Sequence, residues 1–283
     1  MKNDIEERFK KFYEMRSRVY LYRRTPVIIR LDGKAFHTFT RNFVKPFDDI
    51  LISTMQKTMK YLCENIQGCV LGYTQSDEIS LLLIDYQELD SSAWFDYRMD
   101  KLVSVSASMA TFAFNRYFSD AIKSFEIALA YNDSIEDNEE NRKLLKVYQT
   151  ACENGALFDA RAFNLPKEEV TNYFFCRQND ATKNSIQMVG QKYFSQKELN
   201  KKNTNDIQDM LLTQKDVNWN NFSIPQKRGT CAVKNKIIIE KNDNTITAQL
   251  RDTTKSENAW IIDTNIPIFK QDGRDYIEKL VNI

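Results

Sequence analysis

The chain has 283 residues, and with 42% hydrophobic and 12% aromatic residues it can bury a core, which excludes a disordered protein. A net charge of +1 excludes the overall basic field of many nucleic-acid-binding proteins, so an RNA site would have to be a local patch. The single histidine excludes histidine-rich metal sites, and five scattered cysteines indicate the reduced thiols of a cytoplasmic protein. No run is long enough to span a bilayer, and the charged residues 2–11 are unlike a signal peptide or a membrane anchor.

Helical periodicity, β-branched runs and turn residues predict an alternation of helices and strands. In the first part of the chain, the pattern predicts an amphipathic helix over 2–22, a buried strand over 27–31, a helix over 49–64 and a hairpin of strands 70–73 and 79–84. A long helix over 94–118 and an exposed acidic loop around 133–140 follow. The remainder is predicted to form a strand over 156–164, a helix over 166–194, and strands over 230–240 and 245–250 joined at 242–244.

Carboxylates follow two of these strands where the chain turns. Asp32 and Gly33 end the first strand, and Asp77 lies in the hairpin turn over 75–78. If the first strand lies beside the hairpin, Asp32 and Asp77 meet at one edge of the sheet, where two carboxylates repel unless a proton or a divalent cation lies between them. Such oxygen ligands suit Mg²⁺, and two ions would be the arrangement for phosphoryl transfer. The alternative is that both aspartates only serve their turns.

Three motifs around these carboxylates, in this order and spacing, resemble the tRNA(His) guanylyltransferase family, which includes guanylyltransferase-like 3′–5′ polymerases. They are residues 30–39, 45–48 and 72–80, within a likeness that covers residues 24–235. The resemblance implies an α+β fold with a polymerase palm-like, ferredoxin-like antiparallel sheet, helices on one face and a helical C-terminal portion. It also implies a single catalytic unit over 1–283, divided into a palm-like core over 24–180 and a C-terminal helical and β-hairpin portion over 181–283.

The resemblance further implies roles for individual residues. Asp32, Asp77 and Glu78 would be catalytic, and two Mg²⁺ ions would be held by Asp32, the Gly33 carbonyl and Asp77. ATP, GTP and other nucleoside triphosphates would be bound by Lys34, Ala35, Phe36, His37, Lys45, Ser76, Arg98 and Lys101. Asn184 would bind RNA as the residue that the stretch 182–188 shares with the family motif. The local charge, and not the resemblance, indicates two basic patches for RNA, Lys201 with Lys202 and Lys227 with Arg228.

Several of these residues also have simpler interpretations. Glu78 could support the neighbouring ligands instead of acting through a water. His37 could pack and hydrogen-bond locally, beside two phenylalanines. Arg98 and Lys101, one helical turn apart, could be a solvated pair.

Two residues depart from the family pattern. Phe47 stands where the family has an asparagine, so no polar side chain is available at that position. Thr182 stands where the family's tRNA(His) enzymes have a histidine, and this departure decides the predicted subfamily. The chain is therefore predicted to be a template-dependent polymerase that extends the 5′ end of tRNA in the 3′–5′ direction, as in tRNA repair, and the family typically forms a homotetramer. The alternatives are a tRNA(His) enzyme that adds a single G, a palm-fold enzyme acting on free nucleotides, and an RNA-binding protein without catalysis.

Overall fold

The structure, a computed structural model, describes residues 4–131, 134–239, 248–249 and 256–282. Its strands are β1 (Val27–Gly33), β2 (Cys69–Gln75), β3 (Glu78–Leu83), β4 (Phe158–Asn164), β5 (Thr230–Ile239), β6 (Ala248–Gln249) and β7 (Ser256–Asp263). Its α-helices are α1 (Asp4–Phe9), α2 (Phe36–Phe39), α3 (Asp49–Asn65), α4 (Met99–Tyr131), α5 (Glu139–Asn154), α6 (Lys167–Tyr193), α7 (Gln196–Leu199), α8 (Thr204–Lys215), α9 (Ile224–Arg228) and α10 (Asp275–Val281).

The strands form one antiparallel sheet in the order β4-β1-β3-β2-β5-β6, with β7 also paired to β5. The chain runs from β1 through α3 to the β2–β3 hairpin, then through α4 and α5 to β4 and α6. Because the strand pairs of the described residues are antiparallel, the predicted α+β class is confirmed. β2 and β3 form the predicted hairpin, with Ser76 and Asp77 as its two turn residues. Because α3 connects β1 to β2 as a crossover, β3 fits between them, and the hairpin therefore lies directly beside β1.

Helices cover both faces of this sheet. Ile29 and Leu31 of β1 pack in one core with side chains of α3 and α4, whereas Ile28 packs in a second core with side chains of α6 and α10. All three β1 side chains are fully buried. The prediction of helices on one face is therefore wrong, because a strand that is apolar at consecutive positions has to be covered on both sides.

The C-terminal portion is built onto the same sheet. Residue 180 lies inside α6, and β5 extends the sheet by pairing with β2. The predicted hairpin of strands 230–240 and 245–250 corresponds to β5 and β6, and its turn at 242–244 lies outside the described residues. β7 was not predicted, because its place as a strand depends on its partner β5 more than on its own propensity. A smaller core among α6, α8 and neighbouring loops gives this portion its helical character.

The N-terminal segment has helical turns from Asp4 to Ser17, but none of their side chains is buried. Phe9, Phe12 and Tyr13 are 50%, 48% and 64% exposed, so the described part of the chain does not cover the apolar face of the predicted amphipathic helix. Among the described helices, none is both long and apolar enough to cross a membrane.

Candidate active site

The end of β1 and the β2–β3 turn meet at one edge of the sheet. Asp32 lies directly opposite Glu78 in the β1–β3 register. The Gly33 N–H donates a hydrogen bond of 3.0 Å to the Asp77 carbonyl oxygen. The predicted meeting of Asp32 and Asp77 at a sheet edge is therefore confirmed in the backbone.

Two arginines at neighbouring positions of the sheet offset the negative charge of the Asp32 carboxylate. Arg161 Nη2 lies 3.0 Å from Asp32 Oδ2, and Arg30 Nε lies 3.5 Å from the same oxygen. Arg30 and Arg161 are directly opposite each other on β1 and β4, two positions from Asp32 and Asp159. The Asp32 side chain is 32% exposed, so this carboxylate keeps access to solvent and to a ligand.

Asp77 is held half-buried at the hairpin turn, where Ser76 adopts the uncommon φ of 54°. Burial raises the pKa of Asp77, and the charge of Asp32 raises it further. Hydrogen bonds from its own backbone and from the Ser76 side chain act in the opposite direction. The ionised Asp77 carboxylate is therefore unfavourable in this site unless a cation compensates its charge.

The oxygen donors at this edge fit Mg²⁺. In the described part of the chain, no three His, Cys, Asp or Glu side chains are grouped as a metal site. An ion would therefore rest on the Asp32 and Asp77 carboxylates and the Gly33 carbonyl, with water and substrate phosphates as its other ligands. Such an ion would offset the unfavourable negative charge of the Asp77 carboxylate.

The Glu78 carboxylate is engaged by an arginine of α6. Arg177 donates to Glu78 Oε1 at 2.7 Å from Nε and to Oε2 at 2.6 Å from Nη2, a bidentate pair in which the side chains are 22% and 17% exposed. Arg177 also donates to Asp180 at 2.8 Å. Because Glu78 adjoins Asp77, this pair ties the hairpin turn to α6 and favours a supporting role for Glu78.

A cavity of about 360 Å³ opens beside Asp77. Its lining includes seven of the residues predicted to bind metal or nucleotide: Gly33, Ala35, Phe36, His37, Lys45, Ser76 and Asp77. Ala35 adopts a left-handed conformation (φ 54°) at the start of α2, and within the described residues the backbone N–H groups of Ala35, Phe36 and His37 have no hydrogen-bond partner. Clustered unpaired N–H groups favour an anion such as a phosphate.

Two predicted nucleotide-binding residues make their main contacts outside the cavity beside Asp77. Lys34 donates its backbone N–H to the Leu157 carbonyl at 2.8 Å, and its side chain lines a separate cavity of about 490 Å³. Phe36 is 4% exposed and packs against Phe114 with ring centroids 5.4 Å apart. A Cβ on Gly33 would overlap the Phe36 ring, so glycine is required here for core packing and not only for the approach of a ligand.

His37 and Lys45 are exposed at the rim of the cavity. The His37 Nε2 atom lies 3.1 Å from Thr38 Oγ1, and Lys45 Nζ donates to the Thr40 carbonyl oxygen at 3.2 Å. Each of these bonds lies at the surface, where water replaces it at little cost. Both side chains can therefore turn to a phosphate in the cavity.

The buried carboxylate of Asp48 fixes the position of the loop that carries Lys45. Asp48 is 4% exposed, accepts from the N–H groups of Leu51 at 2.9 Å and Val44 at 3.1 Å, and caps the N-terminus of α3. The Tyr148 hydroxyl of α5 donates to Asp48 Oδ2 at 2.6 Å. The position of one wall of the cavity thus depends on α5, which itself lies outside the cavity.

Replacing Tyr148 by phenylalanine is expected to lower the free energy of unfolding by about 1.5–2 kcal/mol, because the buried Asp48 carboxylate loses a donor. It should also raise KM for the nucleotide more than it lowers kcat, since the loop lines the binding cavity. Chemical denaturation and steady-state kinetics measure the two effects.

Tyr86→Phe, which removes a 3.1 Å hydrogen bond to the Val281 carbonyl oxygen at the other end of β3, is the control and should leave KM for the nucleotide unchanged. A Tyr148→Phe enzyme with normal stability and KM would contradict the anchoring role.

Arg98 and Lys101 lie at the opposite end of the sheet from Asp32. Arg98 forms an isolated β-bridge with Tyr20, which precedes the start of β1 at Val27. From Val27 to Asp32 the strand extends about 16 Å, at roughly 3.3 Å per residue. Arg98 is extended (φ −69°, ψ 114°) and precedes α4, but its carbonyl oxygen accepts from the Lys101 N–H at 3.1 Å, so Lys101 does lie one helical turn along from it. Within one chain, the fold does not bring these two residues to the cavity.

The predicted RNA-binding residues lie in different surroundings. Asn184 is exposed on α6, and Lys201 and Lys202 are exposed after α7. Lys227 donates to the Asn220 carbonyl at 2.6 Å, and burial lowers its pKa, with the charge of Arg228 as a smaller cause. Lys201 and Lys202 are therefore the more accessible of the two basic patches.

Several residues of this site had no role assigned to them from the sequence. Met188 of α6 and Pro225 and Gln226 of α9 line the cavity from the C-terminal portion. Arg161 and Arg177 lie in the predicted strand over 156–164 and the predicted helix over 166–194, inside the likeness to the family over 24–235, and that position was the available signal for them. Their carboxylate partners are distant in sequence, so only the fold identifies these pairs.

An anion-attracting cavity beside two carboxylates, on an antiparallel α+β sheet, defines a nucleotide-binding protein of the phosphoryl-transfer class. The chain belongs to the tRNA(His) guanylyltransferase family, since the model described as tRNAHis guanylyltransferase matches residues 6–166. The predicted family and the prediction of a nucleotidyltransferase enzyme are thereby confirmed.

Similar proteins include both named enzymes and solved structures. The tRNA(His) guanylyltransferase of Debaryomyces hansenii is 26% identical over 254 residues, which are 84% of this chain and 84% of that protein. A bacterial tRNA(His) guanylyltransferase-like protein in complex with ATP is 39% identical with a TM-score of 0.74, covering 99% of this chain and 100% of the other. A structure of such a bacterial protein in complex with GTP is 36% identical with a TM-score of 0.73, with the same coverage.

Proposed function

We propose that this enzyme is a template-dependent nucleotidyltransferase that adds nucleotides to the 5′ end of tRNA in the 3′–5′ direction, as in repair of truncated tRNA. The observation that carries the proposal is the cavity in which unpaired backbone N–H groups adjoin the Asp32–Asp77 edge. In this proposal the first four strands act as a polymerase-type palm of ferredoxin-like topology, and the homotetramer of the family is its assembly.

Each part of the site has a role in the proposed reaction. The N–H groups of Ala35, Phe36 and His37, with the Lys45 ammonium, would bind and orient the triphosphate. Asp32, Asp77 and the Gly33 carbonyl would hold Mg²⁺, which when bound lowers the pKa of the attacking 3′-hydroxyl and neutralises charge on the leaving phosphate. The RNA 5′-monophosphate would first be activated with ATP or GTP.

Addition of a single G to tRNA(His) is the second candidate, because that activity gives the family and its relatives their name. The residue at position 182 argues for the templated reaction. Thr182 replaces the histidine of the family's tRNA(His) enzymes, and its hydroxyl donates to the Gln178 carbonyl oxygen of its own helix at 2.9 Å. Because its hydroxyl proton is already donated within α6, Thr182 has no free donor for an RNA ligand.

The test is incubation of the protein with Mg²⁺, the four nucleoside triphosphates and a tRNA that lacks its first nucleotides. Extension that restores the paired acceptor stem, and that changes when the opposite strand is changed, supports the proposal. Addition of one G only to tRNA(His), whatever base lies opposite, supports the second candidate. A product without RNA, or RNA binding without a product, would overturn both.

Replacement of Lys201 and Lys202 by alanine is expected to weaken tRNA binding about tenfold at low salt and to reduce the dependence of affinity on salt, because two phosphate contacts are lost. Filter binding across a salt series measures both quantities. Lys123→Ala, which removes an exposed lysine of α4, is the control and should leave the salt slope unchanged. An unaltered affinity and slope in the double variant would exclude this patch as the RNA site.

A further inference from the structure

A second cavity, of about 490 Å³, adjoins the segment over 35–37 that lines the nucleotide cavity. Ala35 lines both cavities and forms their common boundary. One side of the second cavity consists of α2 and the loop after it, up to Asn42, and the other side is the last half of α5 from Lys146 onward. We call this second cavity the α2–α5 groove.

The α2–α5 groove is lined by two lysines and, among the described residues, by no aspartate or glutamate. Lys34 and Lys146 are both exposed, and within the described part of the chain neither ammonium group has an ion-pair or hydrogen-bond partner. Lys143, on the same helix as Lys146, is by contrast paired with Glu139 at 2.6 Å. Since the whole chain has a net charge of only +1, two unpaired cations in one groove form the kind of local positive patch that binds phosphate.

The dipole of α5 accounts for one of these lysines at most. The Lys34 N–H donates to the Leu157 carbonyl oxygen at 2.8 Å, just beyond the C-terminus of α5, where a helix dipole favours a cation. Lys146 lies about two turns before the last helical residue, Asn154, and the effect of the dipole falls off within the last turn. The Lys146 ammonium is therefore free to bind an external anion.

The other lining residues of the groove suit the sugar units of an RNA strand. Phe39 and Val147 are half-buried and Ala151 is buried, and together they make an apolar floor. Asn42 and Asn154 are exposed, and their side-chain amides have no partner among the described residues. An amide can donate to or accept from a ribose 2′-hydroxyl, while the sugar ring packs on the floor and the phosphates meet the lysines. A free phosphate ion would use the lysines alone.

We propose that the α2–α5 groove binds the sugar–phosphate backbone of the RNA strand whose 5′ end enters the nucleotide cavity. This inference rests on the proposed function, because that reaction requires the RNA 5′ phosphate beside the segment that binds the triphosphate. Since Ala35 bounds both cavities, the nucleotides that follow the 5′ end lie within reach of Lys34 and Lys146. The groove thus positions the 5′ end and takes no part in the chemical step.

The first test is the double variant Lys34→Ala, Lys146→Ala in filter binding of a 5′-truncated tRNA across a salt series. Affinity at low salt is expected to fall about tenfold, and the salt slope should decrease by roughly one to two, because two phosphate contacts are lost. Lys143→Ala is the matched control on α5 and should keep the wild-type slope, since this lysine is already paired. Thermal melting shows that each variant is folded.

A second measurement locates the strand. Neutral methylphosphonate linkages replace the first phosphates of the 5′ strand, and the same number of linkages in the anticodon loop serves as the control. If the two lysines contact the 5′ strand, the neutral linkages there weaken binding to the wild type but cause little further loss in the double variant, whereas the control linkages act equally on both proteins. Equal losses from the 5′ linkages, or no loss in the wild type, would overturn the role of the groove and leave the proposed function intact. A folded wild type that binds no tRNA contradicts the proposed function itself.

Discussion

Replacing Asp77 by asparagine is expected to lower the rate of nucleotidyl transfer about 10³-fold, because the site loses a charged ligand worth several kcal/mol in the transition state. The same change is expected to raise the melting temperature of the metal-free protein at pH 7. Burial raises the pKa of Asp77, so its ionised form costs free energy in the folded state that an uncharged amide does not. Rapid-quench kinetics and calorimetry measure the two effects.

The sign of the pH dependence follows from the raised pKa. A carboxyl group whose pKa is higher in the folded than in the unfolded protein favours folding below its unfolded pKa, and this contribution is lost as pH rises through the folded pKa. The stability difference between Asp77→Asn and wild type should therefore vanish in acid and grow toward neutral pH. Metal-dependent activity should fall on the acid side at a pH above that of an ordinary aspartate.

Asp159→Asn is the matched control for Asp77→Asn. Asp159 lies opposite Asp32 on β4, is 63% exposed and contacts Arg161 only at 3.5 Å. Its replacement should change the rate less than about threefold, since exposed pairs contribute little. An Asp77→Asn enzyme that keeps its activity, or that melts below wild type without metal at pH 7, would contradict this account of the site.

Replacing Arg177 by methionine is expected to lower the free energy of unfolding by about 2–3 kcal/mol, because the largely buried Glu78 carboxylate loses its bidentate partner. Activity should fall about tenfold through kcat, since Glu78 adjoins Asp77 and the turn is no longer tied to α6. Denaturant unfolding measures the stability, and single-turnover kinetics at saturating nucleotide measure the rate.

A second substitution separates a lost pair from lost packing. Arg177→Met combined with Glu78→Gln should recover most of the stability, because no unpaired charge stays buried. Arg142→Met breaks an exposed pair in which Arg142 is 65% exposed, and it should leave the free energy of unfolding nearly unchanged. If Arg177→Met is as mild as Arg142→Met, Arg177 does not position the turn.

Much of the fold was predictable because its signals are local. The apolar run over 27–31 and the turn residues over 75–78 predicted a buried strand and a hairpin, and the structure has both as β1 and β2–β3. The extent of α4 was less predictable. Phe95, Asp96 and Tyr97 have positive φ values of 49°, 52° and 54°, so a 3₁₀ turn interrupts the helical pattern before Arg98. Helical periodicity in the sequence does not reveal such a break.

The family, and the carboxylates that mark the candidate site, could be recognised from the sequence alone, because each motif lies within a few consecutive residues. Only the tertiary structure decided which groups surround those carboxylates. Glu78 and Arg177 are 99 residues apart in sequence, and Asp48 and Tyr148 are 100 residues apart. Gln226 reaches the cavity only because α9 packs against β2. The strength of an ion pair or a buried hydrogen bond depends on distance and burial, and in these cases both are set by packing between distant segments.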